Sequence, residues 1–204
     1  MQLIGMLDSP YVRRVAISMK LMGLPFEHRS VSVFRQYAQF QAINPLVKAP
    51  TLVCDDGEIL MDSTLIIDYL ESLVPAGRRL MPDGEKARRE ALKNLGVALV
   101  ACEKTVQRFY ELTQRPADKQ HAPWLERVTG QMQTAFDELE SIVAAAQPWL
   151  HGERLLQDDL TIAVAWRFAQ FVASDALPAA RYPRLAAYSA RAEALPEFLS
   201  TPLE

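Results

Sequence analysis

Three short segments carry residues whose types and spacing can do chemistry: Ser9-Pro10-Tyr11, the run from Asn44 to Pro50, and Asp62-Ser63. Pro10 suits the first position of a helix, which makes Ser9 a good N-cap. Ser63 opens a second helical pattern, and the unpaired N–H groups and positive dipole end at such a position favour a carboxylate. A plain cap by Asp62 or Ser63 accounts for the same residues. Pro50 stands at the start of a strand-like run, a place that an ordinary trans proline tolerates. Other chemistries are thin. His28, His121 and His151 are scattered, with no cysteine at metal-ligand spacing, which argues against a zinc site and leaves no metal expected. There is no phosphate-cradling glycine loop and no Ser, His and Asp set in a nucleophile motif.

The elements that must position these segments are read from periodicity. Residues 2–7 form a buried strand pattern, after which Val12, Val15, Ala16, Met19 and Met22 recur at helical spacing until Gly23. Residues 26–31 read as a second strand, so the first thirty residues make a βαβ unit with parallel strands. Residues 32–50 show no regular pattern. Residues 51–54 and 59–61 flank Asp55-Asp56-Gly57, a strong hairpin signal. From Ser63 onward, Ile66, Tyr69, Leu70 and Leu73 define one apolar stripe. The pairs Arg13-Arg14 and Arg88-Arg89 read as solvated helix faces.

Beyond residue 76 the texture changes to long helical periodicity, roughly 85–114, 119–146, 158–174 and 183–194, punctuated by Pro116, Pro148 and Pro178. Gly77, Pro82 and Gly84 mark a linker. The expected domains are therefore 1–76, a linker over 77–86, and an all-helical region over 87–204. A composition of 50% hydrophobic and 23% charged residues is that of a globular chain. The net charge of −3 is spread evenly, so no basic platform supports nucleic-acid binding. No run approaches the ~20 apolar residues that cross a bilayer, and the N-terminus lacks the pattern of a secretion signal. Cys54 and Cys102 stand alone in apolar surroundings and are expected in the core. A cytoplasmic protein is expected.

The order of these pieces resembles the cytosolic glutathione transferase family over essentially the whole chain. Four matches carry the resemblance: Ser9-Pro10-Tyr11-Val12-Arg13-Arg14 after the first strand, Asn44-Pro45-Leu46-Val47-Lys48-Ala49-Pro50 before the third, Asp62-Ser63, and Gly152-Glu153-Arg154 ahead of Asp158-Asp159. The fold this implies is a thioredoxin-like α/β domain in the order βαβ-α-ββα, with a mixed four-stranded sheet, followed by an all-α helical bundle. It implies glutathione as co-substrate, a small electrophile as second substrate, and a homodimer. By the same resemblance the Ala49-Pro50 bond is cis, Ala49 offers its backbone to the cysteinyl part of glutathione, Asp62 and Ser63 receive the γ-glutamyl group, and Lys48, or more weakly Arg35, faces the glycyl carboxylate.

Ser9 then carries the chemistry, with Tyr11 as the alternative. A free thiol titrates near pH 8.5, so about 3% of it is thiolate at pH 7, and lowering the pKa by about 2 units makes the thiolate the majority species. A serine hydroxyl donating to the sulfur at a helix N-terminus stabilises that anion. No cysteine occupies residues 9–12, which argues against thiol-disulfide exchange. Tyr11, Phe109 and Tyr110 are the expected lining of an electrophile cleft. Glutathione-dependent isomerisation, dehalogenation or peroxide reduction, and a non-catalytic binding role, are the alternatives. One departure stands out. Where relatives place a capping Ser or Thr three residues before the matching aspartate, Asp159, this chain has Leu156, and the helix start is expected to move to Asp158.

Overall fold

A computed structural model describes residues 1–203, and the chain divides into two compact units: Met1–Leu80 together with the segment from Ala194 onward, and Met81–Glu193. The closing segment thus groups with the first unit and not, as expected, with the helical one. Among the described residues no helix is long and apolar enough to cross a membrane.

In the first unit the elements run β1 (Gln2–Ile4), α1 (Pro10–Met22), β2 (Glu27–Arg29), α2 (Tyr37–Ile43), β3 (Thr51–Val53), β4 (Ile59–Met61) and α3 (Ser63–Ser72), with α8 (Pro196–Leu199) added from the chain's end. The sheet order is β2-β1-β3-β4, β1 pairing parallel with β2 and antiparallel with β3, and β3 antiparallel with β4. This is the expected thioredoxin-like mixed sheet. Side chains alternate across it. Leu3 and Leu52, paired in register, face the larger core with Val12, Val15, Ala16, Met19 and Met22 of α1 and Ile66, Ile67 and Leu70 of α3. Ile4 faces the other way, onto Val31 and Phe40. Of the expected α3 stripe, Leu73 lies past the helix end and is exposed, and Ile67 is buried in its place. Only Phe40 of α2 is buried, so that helix has no stripe for periodicity to find.

The turns follow their residue types. Gly23, at φ 71°, closes α1 by donating to the Lys20 carbonyl while the Leu24 N–H reaches the Met19 carbonyl, a Schellman turn. Gly57, at φ 90°, completes the β3–β4 hairpin. Gly5, at φ 134°, follows β1 in a conformation that L residues avoid, and a Cβ there would stand 2.6 Å from Cγ2 of Val12 and 3.2 Å from Cβ of Ala49. The end of β1, the first turn of α1 and the Ala49 loop therefore meet at the one residue without a side chain.

Arg13 and Arg14 correct the sequence reading. Both are 1% exposed, because α1 is covered on one side by α3 and on another by α8. Arg13 donates from Nε to the Thr201 carbonyl (2.8 Å) and lies over the Phe198 ring, while Arg14 donates to side chains of α3. Arg88 and Arg89 are exposed, as expected.

The second unit contains α4 (Glu85–Thr113), α5 (Ala122–Ile142), α6 (Gln157–Val172) and α7 (Pro183–Glu193). Helix α6 is buried nearly all round, as befits a central helix packed by α4 and α7. It starts at Gln157, not Asp158. Leucine has no acceptor, so only half of a capping box forms at Leu156: its N–H donates to Oδ2 of Asp159 at 2.8 Å. Asp159 also accepts from the Leu150 N–H (2.8 Å) and from the Tyr188 hydroxyl, and so ties the preceding loop and α7 to the helix start. Beside it, Asp158 accepts from Nδ2 of Asn94 and contacts Nε2 of His151, each at 2.9 Å. Both aspartates are wholly buried, and Cys54 and Cys102 are buried as expected.

Two outcomes test this architecture. Gly5→Ala forces a methyl against Val12 in a strained backbone region and is expected to cost about 2–4 kcal/mol, read by urea unfolding; a variant as stable as the parent would mean that the close approach is absent. For Asp159, burial and the neighbouring Asp158 charge outweigh the Leu150, Tyr188 and Leu156 donors and push its pKa from 3.8 to about 6. The folded state then holds this proton more tightly than the unfolded chain. The associated stability is full below pH 3.8 and is lost as pH rises through about 6. Unfolding free energies of the parent measured against Asp159→Asn are therefore expected to fall by about 2.4 kcal/mol between pH 4 and 7, and a flat difference would contradict the raised pKa.

Candidate functional site

The strand register brings the predicted segments together. Ile4 pairs with Thr51 and Thr51 with Met61, so the end of β1, the start of β3 and the end of β4 share one edge of the sheet. The segments leaving or entering there are those that lead to Ser9, that contain Ala49-Pro50, and that begin with Asp62-Ser63.

Ser9 caps α1 in an extended conformation, its Oγ accepting the Val12 N–H at a long 3.4 Å. As the cap uses only a lone pair, the hydroxyl proton remains able to donate. Ser9 and Tyr11 are both half-buried.

The loop before β3 is built on two polar side chains that the sequence reading did not assign. Asn44, 1% exposed, donates from Nδ2 to Oγ1 of Thr51 (2.9 Å) and accepts the Leu46 N–H (3.0 Å), while Thr51 donates to the Lys48 carbonyl (2.6 Å). Asn44 before Pro45 was a usable signal, since a buried Asn readily organises its own following turn. The Ala49-Pro50 bond is cis. Among the described residues neither the N–H nor the C=O of Ala49 has an intrachain partner, and Lys48 is exposed.

At the third segment Asp62 has φ 70° and ψ 121°, a conformation rare outside glycine, and its Oδ1 accepts the Thr64 N–H (2.9 Å) and the Leu65 N–H (3.4 Å). That cap consumes two amides of the α3 terminus and leaves the Ser63 N–H without an intrachain partner among the described residues. Ser63 is 4% exposed, and its Oγ receives a hydrogen bond from Nη1 of Arg14 at 3.0 Å.

Arg35, Phe109 and Tyr110 are the remaining predicted residues. Arg35 places its guanidinium 3.3 Å from Sδ of Met6. Phe109 and Tyr110 belong to α4 of the second unit, their rings 6.1 Å apart, whereas Tyr11 belongs to α1 of the first. A shallow crevice of about 410 Å³, lined by residues such as Lys20, Leu24, Pro25 and Glu197, sits at the opposite end of α1 from Ser9 and contains none of the predicted site residues. The edge defined by Ser9, Ala49 and Ser63 thus offers two helix N-termini and, between them, the unengaged N–H and C=O of Ala49. It can receive an extended molecule with an anion at each helix end.

Known proteins resemble this chain in both sequence and fold. Residues 3–79 match the glutathione S-transferase N-terminal domain and residues 122–191 the C-terminal domain. Maleylacetoacetate isomerase of Pseudomonas aeruginosa is 30% identical, the match covering 69% of this chain and 68% of that protein. Among solved structures, a glutathione S-transferase of Methylobacterium radiotolerans in complex with glutathione sulfonate superposes with a TM-score of 0.90 at 27% identity, over 100% of this chain and 95% of the other. A glutathione transferase family member of Pseudomonas fluorescens with bound glutathione superposes at 0.85 and 26% identity, over 100% and 98%. The serine-capped helix, the Ala49 loop and the Asp62-Ser63 terminus therefore sit in a chain that belongs to the glutathione S-transferase family.

Proposed function

We propose that this protein binds glutathione along the shared sheet edge, lowers the pKa of its thiol at the N-terminus of α1, and transfers the thiolate to a small electrophile. The observation that carries this reading is the set of unengaged groups on that edge: the Ser63 N–H at α3, the N–H and C=O of Ala49, and the Ser9 hydroxyl proton. An extended tripeptide needs an anion receptor, strand-like backbone pairing and a thiol-facing donor in that order. Structural relatives that superpose over all of this chain hold glutathione or its sulfonate.

The roles follow from chemistry. Ser63 receives the γ-glutamyl carboxylate, and Asp62, whose Oδ1 serves the cap, turns Oδ2 toward the ammonium. Ala49 pairs with the cysteinyl backbone beside Pro50, and Lys48 faces the glycyl carboxylate. Ser9 donates to the sulfur and is not itself the nucleophile; in the transfer step sulfur forms the new bond to the electrophilic carbon, and the leaving group departs with the displaced electron pair.

A second reading, isomerisation, is favoured by the likeness to maleylacetoacetate isomerase. The same thiolate would add to an unsaturated acid and be expelled after bond rotation, leaving glutathione unconsumed.

Ultraviolet titration of the bound thiol tests the common step. The parent protein is expected to show thiolate near neutral pH, and Ser9→Ala to raise the thiol pKa by about one unit or more, a tenfold fall in the thiolate-to-thiol ratio per unit. An unaltered titration would move the role to Tyr11, and a protein that binds no glutathione at millimolar concentration would be a non-catalytic member of the family. Following glutathione during turnover separates transfer from isomerisation, since only the former consumes it.

A further inference from the structure

We propose that Arg14 is a positioning residue for the carboxylate received by α3: from its buried place on α1 it orients the Ser63 hydroxyl toward that anion. The proposal rests on the glutathione reading above. Arg14 is 1% exposed, and Nη1 lies 3.0 Å from Oγ of Ser63 and 3.2 Å from Oγ1 of Thr64.

A guanidinium can only donate, so both hydroxyl oxygens accept from it, and each hydroxyl must send its single proton elsewhere. For Ser63, 4% exposed, the polar group beside that proton is its own unengaged N–H, because Asp62 has taken the amides of Thr64 and Leu65. A carboxylate arriving at the α3 terminus then meets two aligned donors from one residue. Without Arg14 the Ser63 hydroxyl is free to rotate and its lone pairs compete with the anion.

The guanidinium has a second effect. Its charge lies one hydrogen bond behind the receiving hydroxyl, in surroundings closed to water, where its field is screened least. Both hydroxyls accept from the single nitrogen Nη1, whose N–H bonds are fixed in the guanidinium plane; lysine keeps the charge but carries its donors on a rotating ammonium that does not fix their directions. The two neighbouring arginines of α1 therefore do different work: Arg13 holds the carbonyls of the closing segment, and Arg14 holds the hydroxyls of the binding terminus.

Calorimetric titration of the parent, Arg14→Gln and Arg14→Lys with two tripeptides tests this: glutathione, and 4-aminobutyryl-cysteinylglycine, which lacks only the γ-glutamyl carboxylate. Arg14→Gln is expected to weaken glutathione binding about tenfold or more while changing affinity for the truncated tripeptide less than about twofold, with Arg14→Lys between the two. On a Ser63→Ala background the Arg14→Gln loss should shrink, since the two act through one hydroxyl. Equal losses for both tripeptides would mark Arg14 as a merely structural residue, and undiminished glutathione binding would remove it from the site; either overturns the proposal. If Arg14→Gln does not fold, Arg14→Lys carries the comparison, a selective loss supporting the proposal and an unselective or absent one refuting it. Should the parent bind neither tripeptide, the glutathione reading fails first and takes this proposal with it.

Discussion

The candidate site depends on the seating of β3 between β1 and β4. Because side chains alternate along a strand, slipping β3 by one residue would turn Leu52 out of the larger core and Thr51 into it. Burial on both faces forbids this: Leu3 and Leu52 are held by α1 and α3, and Ile4 by Phe40 and Val31. The hydrophobic core thereby fixes the level at which three unrelated turns emerge. Polar groups then refine what the core has set. Asn44 and Thr51 shape the Ala49 loop, and Asp62 shapes the start of α3.

Helix α1 shows how a small α/β unit uses charge inside itself. A buried guanidinium without acceptors would be costly, and its removal from water is tolerable only where its donors find oxygen. Arg13 and Arg14 satisfy that condition on different elements, one against backbone carbonyls of Phe198 in α8 and Thr201 after it, and one against hydroxyls of α3. The helix that carries Ser9 is consequently fastened on two sides, and its N-terminus is a rigid platform. A dipole can stabilise an anion only if it need not reorient, so this fastening serves the chemistry proposed for Ser9.

Much of this was legible in the sequence where local chemistry and tertiary need agree. The apolar spacing of α1, the Asp-Gly hairpin and Gly23 at the end of α1 all gave the element they encode, and the resemblance to glutathione transferases supplied the order βαβ-α-ββα. What escaped was set by partners distant in the chain. Arg13 and Arg14 look like solvent-facing charges until residues 63–64 and 198–201 are seen to close over them. Likewise α8 reads as part of the helical region but packs on α1. At α6, Leu156 suggested a later start, yet Asp159 alone secures the N–H of Leu156 because two further donors hold that carboxylate in place. Helix α2 buries one residue and leaves no period to detect.

On the glutathione reading, a weak activator such as a serine has a physical rationale. At pH 7, lowering a thiol pKa from about 8.5 to about 6.5 raises the thiolate fraction roughly 25-fold. Nucleophilicity falls as the pKa falls, with a slope of about 0.4–0.5, so the same shift costs roughly six- to tenfold in intrinsic reactivity. The net gain is a few-fold, and it vanishes on further lowering, since the thiolate is already the major species while its reactivity keeps declining. A fixed cationic partner would overshoot that optimum. On the proposed roles, a helix end and one hydroxyl, the groups that Ser9 places at the start of α1, are what acts on the sulfur, and the full charges of Asp62 and Lys48 are directed to the charged ends of the tripeptide.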